Sequence, residues 1–189
     1  MPSTDLTMQP WFFCGIGGSG MLPLALILRG QGAMVAGSDR SREAGRTPEK
    51  FAWLESLGII MYPQDGSGIQ SPMQILVASA AVEDTGPEVV RAKAIGAVRM
   101  SRAELLARLF NASAQGIAVG GTSGKSTVTG MIGWIMTQTG RDPTIMNGAV
   151  MKNFVSADAP FASARVGGGD AFVAEVDGSD GSIALYRPA

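Results

Sequence analysis

The chain has 189 residues, 46% of them hydrophobic, with 15 basic and 16 acidic residues that leave a net charge of −1; it can bury a globular core, and its balanced charge argues against a nucleic-acid-binding protein. The sequence contains no histidine, which excludes the commonest general base and metal ligand. Its single cysteine, Cys14, cannot form an internal disulfide, so a reducing, cytoplasmic location is expected.

The first hundred residues alternate short β-rich runs with helical patterns. The predicted strands are WFFC (11–14), AMVAGS (33–38), GIIMY (58–62) and QILVAS (74–79). The predicted helices are residues 20–31, 47–57, 87–95 and 101–110. Strands that are apolar on both faces and alternate with helices are typical of parallel sheets. We therefore predict an α/β fold in which a doubly wound parallel sheet occupies residues 1–110.

One segment within this region has the length of a membrane span. Residues 11–28 carry no charge, but four glycines and Pro23 interrupt them and no basic residue precedes them. These features favour a buried strand followed by a helix over a membrane span or a signal peptide. No membrane insertion is expected.

A second α/β pattern follows the small, polar segment NASAQG (111–116). GIAVG (116–120) and AFVAEV (171–176) are predicted strands, and residues 125–139 are a predicted helix. Residues 111–189 contain too few predicted strands to form an independent parallel sheet. We therefore predict that they form an incomplete P-loop-type α/β domain. In the helix, Met131, Trp134 and Ile135 have the spacing of a buried face and are expected to pack in a core.

The stretch GIGGSG, Gly15 to Gly20, lies between a predicted strand and a predicted helix. Glycines at this spacing allow a tight turn and let the backbone approach a diphosphate, which the amides at the start of the helix also attract. Asp39 ends the second predicted strand, where a carboxylate can reach a ribose hydroxyl or a base. We predict a nucleotide or nucleotide-sugar site; the alternative is a tight turn with a structural role only.

The stretch GGTSGKST, residues 120–127, has the parts of a phosphate-binding loop. Gly120, Gly121 and Gly124 allow successive amides to face phosphate oxygens, Lys125 can reach the β and γ phosphates, and a Ser126 hydroxyl can bind magnesium. The usual spacing requires glycine at position 119, where the sequence has Val119. An ordinary glycine-rich turn is the alternative, but a lysine at the start of an otherwise apolar helix favours a nucleotide site.

Acidic residues follow the last predicted strand. Glu175 lies at its end, where sheets place carboxylates near a metal bound at a phosphate loop. Asp177 and Asp180 follow in EVDGSDGS and have the composition of a turn. Only the pairing with Ser126 favours Glu175 as a magnesium ligand.

Taken in order, the motifs GIGGSGM, AGSD, VASAAV, RMSRAELL, GGTSGKST and AEVDGSDGS resemble the Mur ligases of bacterial peptidoglycan synthesis, most closely the members that add L-alanine. The phosphate loop of this family is typically G-T-[HN]-G-K-[ST]-[ST], which needs no glycine at position 119. The resemblance implies a Rossmann-like N-terminal domain for a UDP-N-acetylmuramate substrate, a central ATPase domain and a further C-terminal domain. It also implies that ATP and Mg²⁺ are cofactors and that an amino acid is the second substrate.

The resemblance assigns roles to individual residues. Contacts with the UDP part of the substrate are expected from Gly17, Gly18, Ser19, Gly20, Met21, Asp39 and Ser79. ATP binding is expected from Gly121, Thr122, Ser123, Gly124, Lys125, Ser126 and Thr127. Ser126 and Glu175 are the expected magnesium ligands, and Lys125 is the expected catalytic residue. In the implied reaction, the γ-phosphoryl group of ATP moves to the muramate carboxylate, and an amine then attacks the acyl phosphate.

The sequence also departs from the family pattern. Ser123 replaces the usual His or Asn, Gly178 replaces a Glu common in the alanine-adding members, and MNGAVMKNF (146–154) follows them only approximately. These departures leave open a ligase that adds a peptide or uses another carboxylate, and a UDP-sugar-binding module without catalysis. The expected central domain is half complete at residue 189, so the chain is expected to be part of a longer ligase and inactive alone.

Overall fold

The computed structural model describes residues 6–177 and 181–187. The chain divides into two compact units, Met1–Arg102 and Ala103–Ala189. The division falls at the beginning of helix α5 (Arg102–Ala112), whereas the sequence prediction places this helix at the end of the first domain. Domain limits at residues 110 and 111 stay a prediction.

The first unit contains a five-stranded parallel sheet. Its strands are β1 (Trp11–Cys14), β2 (Val35–Ser38), β3 (Ile60–Met61), β4 (Ile75–Ala78) and β5 (Val98–Ser101). Their order is β3-β2-β1-β4-β5, and every neighbouring pair is parallel. The chain runs outward from β1 on one side of the sheet and from β4 on the other. In sheets of this type, ligands bind at the carboxyl ends of the strands where the order reverses, which here is between β1 and β4. The predicted Rossmann-like fold is confirmed.

The helices of this unit confirm most of the sequence prediction. They are α1 (Leu22–Gly30), α2 (Arg40–Glu43), α3 (Pro48–Ser56) and α4 (Pro87–Ile95). A proline occupies the first or second position of α1, α3 and α4. A backbone N–H at these positions has no intrahelical acceptor, so proline loses no hydrogen bond there. The four-residue α2 was not predicted. Within residues 6–177 and 181–187, no helix combines the length and the apolar character that crossing a membrane requires.

Burial separates the central strands from the edges of this sheet. All residues of β1, β2 and β4 are buried, as predicted for strands covered on both faces. The prediction for GIIMY was wrong in this respect, because β3 is a two-residue edge strand whose Ile60 is 57% exposed. An edge strand has only one neighbour, so its hydrophobic residues need not be covered.

The second unit contains a four-stranded mixed sheet. Its elements after α5 are β6 (Gln115–Val119), α6 (Lys125–Gln138), β7 (Thr144–Met146), β8 (Ala164–Arg165) and β9 (Ala171–Glu175). The order is β6-β9-β7-β8, with β8 antiparallel to β7 and the other pairs parallel. Strands β6 and β9 and helix α6 were predicted; β7 and β8 were not. The parallel pairing places the ends of β6, β7 and β9 at one edge.

Helix α6 packs on this sheet through small residues. Thr129 and Gly133 are buried, and Ile132 and Met136 pack around a core of Ile145, Met151 and Val173. The prediction that Met131 and Ile135 form the buried face was wrong, since each is 58% exposed. Positions 131 and 135 each lie about 200° around the helix from position 133, so Met131 and Ile135 face away from the sheet. Trp134 is half-buried, with its ring against Phe154.

Candidate functional site

The glycine-rich stretch of the first unit forms a tight loop at the carboxyl edge of the sheet. The amides of Gly15 and Ile16 donate to the carbonyl of Ser38, over 2.8 and 3.0 Å, and Gly18 N donates to Gly15 O. Gly15 has a φ of +76°, a conformation that disfavours side chains. The loop is therefore attached to the end of β2 and turns back before α1 begins.

The Asp39 carboxylate is hydrogen-bonded to this loop. It is 7% exposed; its Oδ2 accepts from Gly17 N at 2.8 Å and its Oδ1 from Ser41 N at 2.7 Å. The second bond caps α2. Both oxygens thus already accept a backbone hydrogen bond, which gives Asp39 a role in shaping the loop. Its contact with a nucleoside stays a prediction.

The other predicted residues of this site differ in their accessibility. Gly18 and Ser19 are exposed, Gly17 and Gly20 are half-buried, and Ser79 is half-buried directly after β4. Met21 is 4% exposed and its amide donates to Gly18 O, so it anchors the loop in the core. A direct contact between Met21 and a bound ligand stays a prediction.

Sequence reasoning missed two residues beside this loop, Arg102 and Lys50, whose Nζ donates to Gly17 O at 3.3 Å. Arg102 comes directly after β5, and a Cβ atom added to Gly20 would lie 2.7 Å from its Cδ. The guanidinium therefore lies against the glycine loop. Its position follows from β5, which was not predicted; a basic residue at the carboxyl end of that strand would have been the signal.

The phosphate-loop sequence of the second unit also forms a loop between a strand and a helix. Residues 120–124 are exposed, and Gly121 and Gly124 have φ values of +143° and +77°, which favour glycine. Val119 is the last residue of β6 and pairs with Glu175 of β9. Position 119 therefore belongs to the sheet, and the loop needs no glycine there.

Lys125 begins α6, and its Nζ donates to Gly121 O at 2.9 Å. The ammonium group thus lies over the loop that its own segment forms. Thr127 is exposed in the first turn of the helix. Lysine, hydroxyl groups and exposed loop residues are together at one end of α6, as a phosphate site requires.

Ser126 and Glu175 are in direct contact. The Ser126 hydroxyl donates to Glu175 Oε2 at 2.7 Å, which confirms the prediction that the two side chains converge. Gly148 N donates to the same oxygen at 3.0 Å. A Cβ on Gly148 would lie 3.0 Å from that oxygen, so the absence of a side chain allows this close approach.

Asn147 is a second residue that the sequence analysis did not identify. It follows β7 and is 2% exposed; its Nδ2 donates to Ser126 O at 2.8 Å, and its Oδ1 accepts from Ala149 N at 3.1 Å. Asn147 therefore connects the end of β7 to the first turn of α6. The dipeptide Asn-Gly would have been a signal only if β7 had been recognised.

The donor set at this edge suits a hard divalent cation. One serine hydroxyl and one carboxylate already share a hydrogen bond, and Mg²⁺ prefers such oxygen ligands, with water and phosphate completing its shell. Within the described residues, no cluster of three or more His, Cys, Asp or Glu could hold a metal ion. Asp177 is exposed, and Gly178 and Asp180 lie outside the described residues.

A pocket of about 380 Å³ opens beside the first turns of α6. Its polar lining includes Ser126, Thr127, Asn147, Lys152 and Asn153, and its apolar wall includes Trp134. Since Ser126 and Thr127 also belong to the phosphate-loop segment, a molecule in this pocket would lie next to a nucleotide bound there.

Comparisons with known proteins agree on one family. A family model described as "Mur ligase family, catalytic domain" matches residues 12–114. A UDP-N-acetylmuramate–L-alanine ligase of Synechococcus sp. (strain JA-2-3B'a(2-13)) is 41% identical over 97% of this chain, and one of Desulfotalea psychrophila is 38% identical over 93%. The chain covers 36% of the length of each of these relatives.

Solved structures of UDP-N-acetylmuramate ligases are also similar to this chain. The UDP-N-acetylmuramate–alanine ligase of Thermotoga maritima matches with a TM-score of 0.79 and 27% identity, over 95% of this chain and 40% of that one. A UDP-N-acetylmuramate:L-alanyl-γ-D-glutamyl-meso-diaminopimelate ligase from Neisseria meningitidis matches with a TM-score of 0.76 and 26% identity, over 95% of this chain and 58% of that one.

Proposed function

The chain belongs to the Mur ligase family, and we propose that it is part of an ATP-dependent ligase that joins an amino acid to the carboxylate of UDP-N-acetylmuramate in peptidoglycan synthesis. The chain spans about a third of the length of the curated relatives it matches, and the complete reaction is proposed for a protein of their length. The substrate named in those relatives and the cytoplasm as the place of the reaction are parts of this proposal.

The contact between Ser126 and Glu175 is the observation that carries the proposal. It brings a hydroxyl and a carboxylate together 2.7 Å apart, directly after the lysine of the phosphate loop. An exposed turn with only a structural role needs neither the lysine nor the buried asparagine that holds Ser126 in place. These groups suit an ATP phosphate chain and its magnesium ion.

The proposed reaction has two steps. A carboxylate oxygen of the muramate attacks the γ-phosphorus of ATP, the bond to the β–γ bridging oxygen breaks, and ADP leaves. The amine of the amino acid then attacks the resulting acyl phosphate, an amide bond forms, and inorganic phosphate leaves after the amine has lost a proton. A bound Mg²⁺ would neutralise charge on the phosphate oxygens.

The chain's own residues bind and orient the reactants. Lys125 would leave Gly121 O and contact the β and γ phosphates, where it stabilises charge during transfer. Ser126 and Glu175 would hold the metal, and Asn147 keeps Ser126 in position. The pocket beside Ser126 and Thr127 has room for the acceptor carboxylate next to the γ-phosphate. In the first unit, the Gly15–Gly20 loop would hold the diphosphate of the nucleotide sugar.

A ligase that adds a peptide is the second candidate. The neighbour from Neisseria meningitidis has a name that specifies a tripeptide, and its similarity to this chain is close to that of the alanine ligase from Thermotoga maritima. Both candidates use the same two nucleotide sites, so the choice between them concerns only the amine substrate.

Binding of ATP to the chain tests the proposal. We expect calorimetry to show binding of a non-hydrolysable ATP analogue that is strengthened by Mg²⁺, and Lys125→Ala to weaken it about 10- to 100-fold, the range for charge-assisted contacts. Glu175→Gln should remove most of the magnesium dependence while binding of UDP is unchanged. Asp177→Asn is the matched control, an exposed acid near the same strand end. An analogue that binds equally with and without Mg²⁺, or Glu175→Gln that behaves like Asp177→Asn, would contradict the assignment.

A further inference from the structure

The geometry points to Arg102 as a cation that binds the diphosphate of the nucleotide sugar at the glycine loop. This inference rests on the proposed function and adds a guanidinium to a loop where the Lys50 ammonium already donates to Gly17 O at 3.3 Å. Three observations carry it: the place of Arg102 in the sheet, its contact with Gly20, and its lack of a partner among the described residues.

The sheet places Arg102 at the edge where ligands bind. Ser101, the last residue of β5, pairs with Ala78, the last residue of β4, so Arg102 and Ser79 leave neighbouring strands at the same end. The glycine loop leaves β1, which is the other neighbour of β4. Arg102 therefore belongs to the same carboxyl edge as the loop and Ser79.

Direct proximity links Arg102 to Gly20. A Cβ atom built on Gly20 would lie 2.7 Å from Cδ of Arg102, and 3.3 Å from both Nε and Nη1. The side chain thus occupies the space that a residue other than glycine would need. The glycine at position 20 accordingly has a second function besides backbone approach, because it leaves room for the arginine.

The guanidinium of Arg102 has no hydrogen bond or ion pair with the residues that the structure describes, although it is half-buried. The other half-buried arginines differ: Arg29 donates to Leu57 O and Ala33 O, Arg42 pairs with Glu55, and Arg165 donates to Pro143 O and pairs with Asp142. A partly desolvated guanidinium whose donors meet no protein acceptor is stabilised when an anion accepts from them. The paired arginines show that this fold ordinarily satisfies such groups.

A diphosphate matches these unused donors. The planar guanidinium presents N–H groups in a fork that fits two phosphate oxygens at once, which an ammonium group cannot do. The loop amides and the beginning of α1 attract the same anion, but they supply only partial charges. Arg102 would therefore add a full positive charge to that of Lys50, and it would favour nucleoside diphosphates over nucleosides.

The test compares Arg102→Met with Arg108→Met, an exposed arginine six positions further along α5. UDP is titrated by calorimetry and uridine by chemical-shift perturbation. We expect Arg102→Met to weaken UDP binding about 10- to 100-fold, to leave uridine binding within about twofold, and to leave the melting temperature unchanged. Arg102→Lys should restore part of the affinity for UDP, because it keeps the charge and loses the fork. Arg108→Met should bind UDP as the unaltered chain does.

Each other outcome has a definite meaning. If the unaltered chain does not bind UDP, the proposed function fails. If it binds UDP and Arg102→Met binds equally well, or loses uridine and UDP affinity alike, the role of Arg102 is refuted while the nucleotide site remains.

A double-mutant cycle of Arg102→Met with Gly20→Ala tests the contact between the two residues. The methyl group of Gly20→Ala displaces Arg102, so the two substitutions together should weaken UDP binding by less than the sum of their separate effects. If the effects of the two substitutions on UDP binding add fully, the contact between Gly20 and Arg102 is contradicted.

Discussion

Two glycines of α6 make a matched pair for testing how this helix packs on the sheet. A Cβ on Gly133 would lie 2.5 Å from Cδ1 of Ile145, and 3.0 and 3.3 Å from its Cγ1 and Cγ2. A Cβ on Gly130 would meet only Asn147 Nδ2 at 3.5 Å and Met151 Cγ at 4.0 Å, which are ordinary contacts. The same substitution should therefore have opposite effects at two positions of one helix.

The magnitudes follow from these distances. Replacing glycine by alanine inside a helix stabilises it by about 1 kcal/mol, and Gly130→Ala should gain most of this. At Gly133, the overlap with a fully buried isoleucine costs about 1–3 kcal/mol, so the net effect is a loss of up to about 2 kcal/mol. The difference between the two variants is the cost of the overlap alone.

Urea unfolding followed by tryptophan fluorescence measures both variants, because Trp134 lies on α6 and reports on residues 103–189, while the signal from Trp11 and Trp53 of the first unit is common to both variants. Ile145→Val removes the nearest atom, Cδ1, so it should be less harmful in the Gly133→Ala background than in the unaltered chain. If Gly133→Ala stabilises the second unit as much as Gly130→Ala does, or if Ile145→Val gives no such coupling, the close packing described here is wrong.

Two further predictions concern groups with shifted pKa values. Burial raises the pKa of the Cys14 thiol above its usual value, so iodoacetamide at about pH 8 should modify the native chain far more slowly than the urea-unfolded chain; equal rates would contradict it. Hydrogen bonding from Gly168 N, followed by the contact with Arg165, lowers the pKa of Asp142 below 3.8, so its stabilisation is present above that pH and is lost as the pH falls through the folded-state value. Asp142→Asn should lower the urea midpoint at about pH 7 but have little effect at about pH 2, and an undiminished effect in acid would refute this.

The elements that the sequence predicted are those with strong local signals. Strands β1 and β4 consist of uninterrupted apolar residues, β2 has Val35 and Ala36 before Gly37 and Ser38, and α1, α3 and α4 each have a proline at the beginning and a glycine at or near the end. The elements that it missed are short. Strands β7 and β8 have three and two residues, too few to show a period of two. Their existence depends on β9, which pairs with β7 from a distant part of the chain.

The residues of the candidate sites could also be predicted only where the sequence carries a local signal. The loop residues could be predicted because glycine and lysine at fixed spacing follow directly from what a phosphate needs. Arg102 and Asn147 could not, because each is placed by a strand that the sequence analysis did not identify, β5 and β7. The contact between Ser126 and Glu175 was predictable only from two motifs together, since the residues are 49 positions apart.

The error at Met131 and Ile135 has a physical cause that bears on the phosphate site. A helix that faces a sheet with large side chains lies farther from it than one that faces it with glycine. Gly133 lets α6 approach Ile145 of β7, and at the beginning of the same helix Ser126 lies within 2.7 Å of Glu175 at the end of β9. A side chain at position 133 would overlap Ile145, move the helix away and break this contact. Hydrophobicity alone therefore predicts the wrong face for α6, because a short distance between helix and sheet requires small residues where the two meet.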